Sequence, residues 1–317
     1  RFTVIKRMRS ISQTRDENAR MFINEARVVA SLNHPHIVKV FDLGWLDQDL
    51  GIAMEYVDGE SLQDIQRFAR QQGSPIPLPV TLKLMIEAAE ALHYAHSASG
   101  PDGTPLNLIH RDVGPQNLLL TSHGYLKVID FGVAKSTHQV DVTTPGLVKG
   151  KIPYFAPETL TRHDLDGRAD LYALGLVMFE MLTQEKAHPF TADASIAEVV
   201  NRITSFVLPP VSAMAQHLPR EIDAVVAQAT RINRDERFQT GAEFAAALRT
   251  AGDATSGVAT TAEVETWFRS SFAPLCQRRR EFERHALAQA ERVPVALDTS
   301  SSGARMLPPV VSPDPDA

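Results

Sequence analysis

From Leu171 to Leu182 the chain reads Leu-Tyr-Ala-Leu-Gly-Leu-Val-Met-Phe-Glu-Met-Leu, almost without a polar residue. A helix that is apolar all round has no face to offer water, so it belongs at the centre of a lobe. It is too short for a membrane span, which takes roughly 20 apolar residues, and it contains Glu180. With 317 residues and 44% apolar content, the chain has material for two lobes and an appendix. A net charge of −6, from 38 acidic and 32 basic residues, gives no reason to expect nucleic acid or an anionic membrane as partner. One cysteine, Cys276, leaves no disulfide framework and suits a reducing cytoplasm.

The chemistry is concentrated upstream of that helix. His110-Arg111-Asp112-Val113-Gly114-Pro115-Gln116-Asn117 follows Leu108-Ile109 and precedes Leu118-Leu119-Leu120, so it reads as a short polar loop between buried strands. Asp112 and Asn117 lie five residues apart, which suits a carboxylate that accepts a proton and an amide oxygen that binds a metal. Asp130-Phe131-Gly132 again follows an apolar run, Leu126, Val128 and Ile129. Two metal ligands and one further carboxylate on adjacent loops make a phosphoryl-transfer constellation.

Around these loops the periodicity sets out further elements. A strand covers residues 1–8, with Phe2, Val4 and Ile5 among charges and Lys6 near its end. Asp16 to Leu32 carries an apolar face of Phe22, Ala26, Val29 and Ala30, a helix on which Glu25 lies. Asn33-His34-Pro35-His36 ends it, and the two histidines read as turn residues because no third metal ligand is near. Ile37 to Leu46 and Leu50 to Tyr56 read as strands. Thr81 to Ser97 is a long buried helix, on which His93 and His96 read as packing residues. Helices over Pro189 to Val207, Pro219 to Ile232 and Ala242 to Thr250 complete the larger lobe.

In this order the motifs resemble those of a eukaryotic-type protein kinase of the Ser/Thr class, most like those of bacteria. The resemblance spans about residues 1 to 250 and adds Ala156-Pro157-Glu158, Asp170 and Arg237 to the set. It implies an α+β, two-lobed fold: a small partial β-lobe with one helix over 1–57 and a mainly helical catalytic lobe over 58–250. It implies ATP as phosphoryl donor, Mg²⁺ as cofactor and protein substrates. Lys6, locked by Glu25, would hold the α- and β-phosphates; Asp112 would orient the substrate hydroxyl and take its proton; Asn117 and Asp130 would hold Mg²⁺. Met54-Glu55-Tyr56-Val57 stands at the hinge, with the backbone of Glu55 and Val57 bonding adenine and Met54 behind it. Leu119 joins the nucleotide-binding set, and Ser61 or Glu60 would face the ribose. Asp170 would brace the catalytic loop, and Arg237 would pair with Glu158. Arg111 is a natural partner for a phosphate on the loop over 133–155, so phosphorylation at Thr143 or Thr144 is expected, with dimers serving trans-autophosphorylation.

Three departures from the family pattern stand out. No glycine cluster precedes Lys6, which implies an N-terminal truncation and weak or no ATP turnover by residues 1–317 alone. Gly114 occupies the place of a lysine that contacts the γ-phosphate. Lys151 occupies a threonine position beside the catalytic aspartate, and would supply the charge missing at Gly114. These departures keep a pseudokinase, a binding or scaffolding module of the same fold, as the alternative. Beyond residue 250, Ala251 to Thr261 reads as a linker, and Val264, Trp267, Phe268 and Phe272 mark a helix up to 292 that packs on the lower lobe. Five prolines and a serine run make 293–317 a disordered tail.

Overall fold

The computed structural model describes residues 2–8, 28–46, 49–100, 102–131, 152–161, 164–190 and 194–290. Glu25, Gly132, Thr143, Thr144, Lys151 and the tail lie outside the described residues.

Helix and sheet are mixed, as expected. The smaller lobe is an antiparallel sheet of β1 (Thr3–Met8), β2 (Val40–Leu46) and β3 (Asp49–Glu55), with β3 in the middle. β1 pairs with β3 from Thr3 opposite Glu55 to Met8 opposite Leu50, which sets Lys6 opposite Ile52. The sheet is tied to the larger lobe by residues before β2: Val128 N–H donates to His36 O at 2.8 Å and Val38 N–H to Val128 O at 2.9 Å.

The larger lobe begins with β4 (Gly59–Ser61), α1 (Leu62–Gln72) and α2 (Leu78–His96). β4 pairs with β5 (Leu118–Thr121), which pairs with β6 (Leu126–Val128). After the short α3 (Pro157–Thr161) comes the apolar helix, α4 (Arg168–Thr183), buried along its whole middle. It packs against α2 on one side and α7 (Glu221–Ala229) on another, after α5 (Ile196–Ser205) and α6 (Val211–Met214). This burial is what its all-round apolar sequence requires. α8 (Gly241–Asp253) covers α2.

The C-terminal helix is two helices, α9 (Thr261–Ser271) and α10 (Ala273–Ala290). Pro274 has no N–H and its ring would meet the carbonyl one turn back, so α9 stops and a new first turn begins. At the break Phe272 turns inward, its ring 5.5 Å from that of Phe68 on α1. The linker is shorter than its composition suggests, since α8 runs on to Asp253. No helix among the described residues is long and apolar enough to cross a membrane.

Candidate active site

The loop from His110 to Asn117 is held from below by one buried carboxylate. Asp170, in the first turn of α4, accepts the N–H of His110 on Oδ2 at 2.8 Å and the N–H of Arg111 on Oδ1 at 2.9 Å. His96, at the end of α2, reaches the same Oδ2 through Nε2 at 2.8 Å. Burial alone would push the Asp170 carboxyl up, but the His96 contact, with the His110 N–H adding, outweighs it and holds the pKa below its usual 3.8. These bonds also account for Arg111, whose φ of 60° is unusual for a side chain of its size: Asp170 fixes the peptide before it, and His110 Nδ1, through Asp112 N–H, fixes the peptide after it.

His110 forms the other wall. It is fully buried, and burial lowers its pKa, so the ring is neutral. Asp112 N–H donates to Nδ1 at 3.2 Å, which leaves the proton on Nε2 to donate to Ile129 O at 2.9 Å. Its ring packs 4.6 Å from that of Phe131. One histidine thus connects the loop carrying Asp112 with the loop carrying Asp130.

The two loops meet again at Asn117. Its Nδ2 donates to Asp112 O at 2.7 Å and to Asp112 Oδ2 at 3.1 Å, and its backbone O accepts from Ile129 N–H at 2.9 Å. The amide is therefore oriented with its nitrogen on Asp112 and its oxygen left to accept. Asp130 follows in the left-handed region at φ 59°, and its Oδ1 lies 2.9 Å from Lys6 Nζ. Lys6, Asp112, Asn117 and Asp130 are brought to one place from β1 and two loops, although 124 residues separate the first and last.

These side chains fit a hard divalent cation. Asn117 offers an amide oxygen, and Asp130 has a second carboxylate oxygen beside the one on Lys6. No cluster of three or more His, Cys, Asp or Glu occurs among the described residues. Mg²⁺ at a phosphate site needs none, since one or two protein oxygens suffice and waters and phosphates complete its octahedron.

At the hinge, Met54 is buried and Val57 is packed against the core. The Glu55 side chain is engaged inward: Oε2 pairs with Lys127 Nζ at 2.8 Å and accepts from Lys39 N–H at 3.2 Å. Leu119 is half-buried between Leu118 and Leu120, which are fully buried, so it faces the other side of its strand, opposite Ser61. Ser61 caps α1: its Oγ accepts from Asp64 N–H at 3.1 Å and donates to Asp64 Oδ2 at 2.5 Å. A ribose contact there would have to share that hydroxyl.

Two features of the site escape a reading by motif. His96, expected to be a packing residue, is a second support of Asp170; a histidine at a helix end gives no signal of that. Gln116 covers Gly114: a Cβ at Gly114 would stand 2.6 Å from Gln116 Nε2. Gln116, Asp112, Tyr154, Phe155 and Thr159 line one shallow concavity in front of the loop.

The anchor behind this concavity is a buried ion pair. Arg237 Nη1 and Nη2 hold Glu158 Oε1 and Oε2 at 2.6 and 2.8 Å. The remaining donors of Arg237 go to the carbonyls of Arg231, Ile232 and Arg168, and its guanidinium lies over the Tyr172 ring. Full satisfaction is what lets an arginine be fully buried.

Comparison with known proteins agrees with this geometry. Residues 1–246 match the family described as Protein kinase domain. Tyrosine-protein kinase MasK of Myxococcus xanthus (strain DK1622) is 39% identical over 250 residues, which cover 79% of the chain and 38% of MasK. Serine/threonine-protein kinase PknB of Mycobacterium tuberculosis (strain ATCC 25618 / H37Rv) is 36% identical over 233 residues, 72% of the chain and 35% of PknB. The chain thus matches less than two fifths of the length of these relatives. Among solved structures, the PknI kinase domain of Mycobacterium tuberculosis superposes with a TM-score of 0.57 at 30% identity, covering 78% of this chain and 85% of that one.

Proposed function

The chain belongs to the protein kinase family, and we propose that it transfers the γ-phosphoryl group of ATP to hydroxyls of protein substrates, serine and threonine before tyrosine. The observation that carries the proposal is the meeting of Lys6, Asp112, Asn117 and Asp130 at one place. Phosphoryl transfer asks little covalent chemistry of the protein; positioning and charge do the work.

In this reading adenine lies against Met54 and Leu119 and bonds the backbone of Glu55 and Val57. The Lys6 ammonium lies against the α- and β-phosphates. Asn117 and Asp130 would hold Mg²⁺, which would supply positive charge against the phosphates. The Asp112 carboxylate, steadied by Asn117 Nδ2, aligns the substrate hydroxyl and takes its proton. Glu25 and Lys151 retain the roles the family resemblance assigns them, the one locking Lys6 and the other replacing the charge that Gly114 lacks. Arg111 would receive a phosphate carried by Thr143 or Thr144, placed there in trans within a dimer.

Support for serine and threonine comes from relatives such as PknB, named for that class. Tyrosine is the second reading, favoured by the name of MasK and by Gly114. Incubation with γ-labelled ATP and a mixed peptide library, followed by phosphoamino-acid analysis, separates them. Label in phosphoserine and phosphothreonine supports the first reading; label confined to phosphotyrosine sinks it in favour of the second; no label with tight nucleotide binding points to a scaffold.

A further inference from the structure

The C-terminal helix α10 does more than cover the larger lobe. It lies along the segment that leaves the hinge. Arg279, only 10% exposed, places Nε 2.6 Å from Asp58 Oδ1 and Nη1 3.1 Å from Glu60 Oε1. One turn on, Glu283 Oε1 accepts the Tyr56 hydroxyl at 2.8 Å and stands 3.9 Å from Arg279 Nε. Tyr56 lies between the two hinge residues whose backbone faces adenine in the kinase reading, and Asp58 and Glu60 follow closely.

Charge explains why this contact centres on Arg279. Asp58, Glu60 and Glu283 converge on one guanidinium. Asp58 is tied down further by Ser122, whose Oγ donates to Asp58 Oδ2 at 2.5 Å and whose N–H donates to Asp58 O at 2.7 Å. Without Arg279, three carboxylates would face one another with no cation between them, and helix and hinge would repel. Glu60 is largely buried, and burial raises its pKa, so it depends on that cation to stay charged.

The helix is also fixed in place independently of these charges. Leu275 and Cys276 in its first turns are buried, and Phe272 before it packs on Phe68 and Phe268. The turn between β5 and β6 presses on the start of α9: a Cβ at Gly124, whose φ is +82°, would overlap the carbonyl oxygen of Thr261. The base of α10 is thus an apolar anchor, and Arg279 and Glu283 are a polar hand extended from it to the hinge.

We infer that α10 belongs to the nucleotide site: Arg279, with Glu283, is a positioning residue that fixes the hinge from Tyr56 to Glu60 and so sets the affinity for the adenine nucleotide. The inference rests on the kinase reading for the identity of the ligand. It assigns Arg279 no contact with the reacting atoms, so the effect belongs in nucleotide binding and KM for ATP, with the chemical step left alone.

The test compares the parent chain with Arg279→Ala, Arg279→Lys and Glu283→Gln. Fluorescent methylanthraniloyl-ADP is titrated with Mg²⁺ present, kcat and KM for ATP are measured, and amide exchange over residues 56–60 is followed without nucleotide. Losing a charge-assisted contact of this kind is expected to weaken nucleotide binding about tenfold in Arg279→Ala. KM should rise in parallel with kcat nearly unchanged, and exchange at 56–60 should quicken. Arg279→Lys should recover most of the affinity, which a mere packing defect would not allow. Glu283→Gln, which keeps shape and buried surface, should show a smaller loss in the same direction. A parent that binds nucleotide beside an Arg279→Ala chain with affinity and exchange unchanged would overturn this inference alone. A parent that takes up no nucleotide would overturn it together with the kinase reading.

Discussion

The ammonium of Lys6 stands 2.9 Å from the Asp130 carboxylate, so a strand of the small sheet and a loop of the large lobe are joined by a single ion pair. Lys6 is half exposed, and the pair adds little to stability. Its value lies in placing both groups where a triphosphate and its cation would come between them. Lys6→Met is therefore expected to leave the melting temperature almost unchanged and to cut kcat/KM by roughly 10²–10³, the scale of losing one preorganised charge contact. Calorimetry and initial rates on the same preparation check both halves.

Arg237 and Glu158 predict the opposite pattern. Arg237 is fully buried and Glu158 nearly so. Removing one partner strands the other charge in the interior, which costs about 3–5 kcal/mol. Arg237→Ala should thus lower the denaturant midpoint sharply, and any activity left should be lost through unfolding of the larger lobe. Urea titration followed by tryptophan fluorescence reports this.

Asp170 couples fold and site. Asp170→Asn keeps the size but puts an NH₂ against one of the two backbone donors at His110 and Arg111. The loop is expected to relax from the left-handed conformation at Arg111, with kcat falling while nucleotide affinity holds; rates and nucleotide titration on the one variant check this. Because its folded pKa is depressed, the Asp170 carboxylate stabilises the fold above the ordinary carboxylate pKa, and that contribution fades as pH drops through its lower folded value.

His188 gives a milder pH dependence. It is buried near Tyr172, and its Nδ1 has no hydrogen-bond partner. Burial, with the charge of Arg202 adding, lowers its pKa from 6.5 to about 4. Between those values the unfolded chain binds the extra proton, so stability present at neutral pH is lost as pH falls through that window. The loss between about pH 7 and pH 5 is about 2 kcal/mol. His188→Leu should flatten the dependence of the urea midpoint over that range.

Much of this is legible from residues alone. Asp112, Asn117 and Asp130 can be found because each sits in a short polar stretch framed by apolar runs, whereas Lys6 and Asp170 are legible only through the family pattern. Glu158 and Arg237 are legible as a pair through the family pattern. Contacts that depend on where a distant helix comes to rest are not. His96 looks like any packing histidine until α2 and α4 are side by side. Arg279 reads as part of a solvated charged run, because nothing local distinguishes it from Arg278 and Arg280. The family pattern offers Ser61 to the ribose, whereas its hydroxyl is engaged in a helix cap that Asp64, three residues on, already signals. The break at Phe272 is hidden because helical spacing carries past Pro274.

In the proposed reaction Asp112 aligns the substrate hydroxyl and takes its proton. Label transfer from γ-labelled ATP to protein substrate, comparing the parent with Asp112→Ala, tests this most directly. Abolished transfer with nucleotide affinity retained is the result predicted. Transfer at the parent's rate in Asp112→Ala would contradict it.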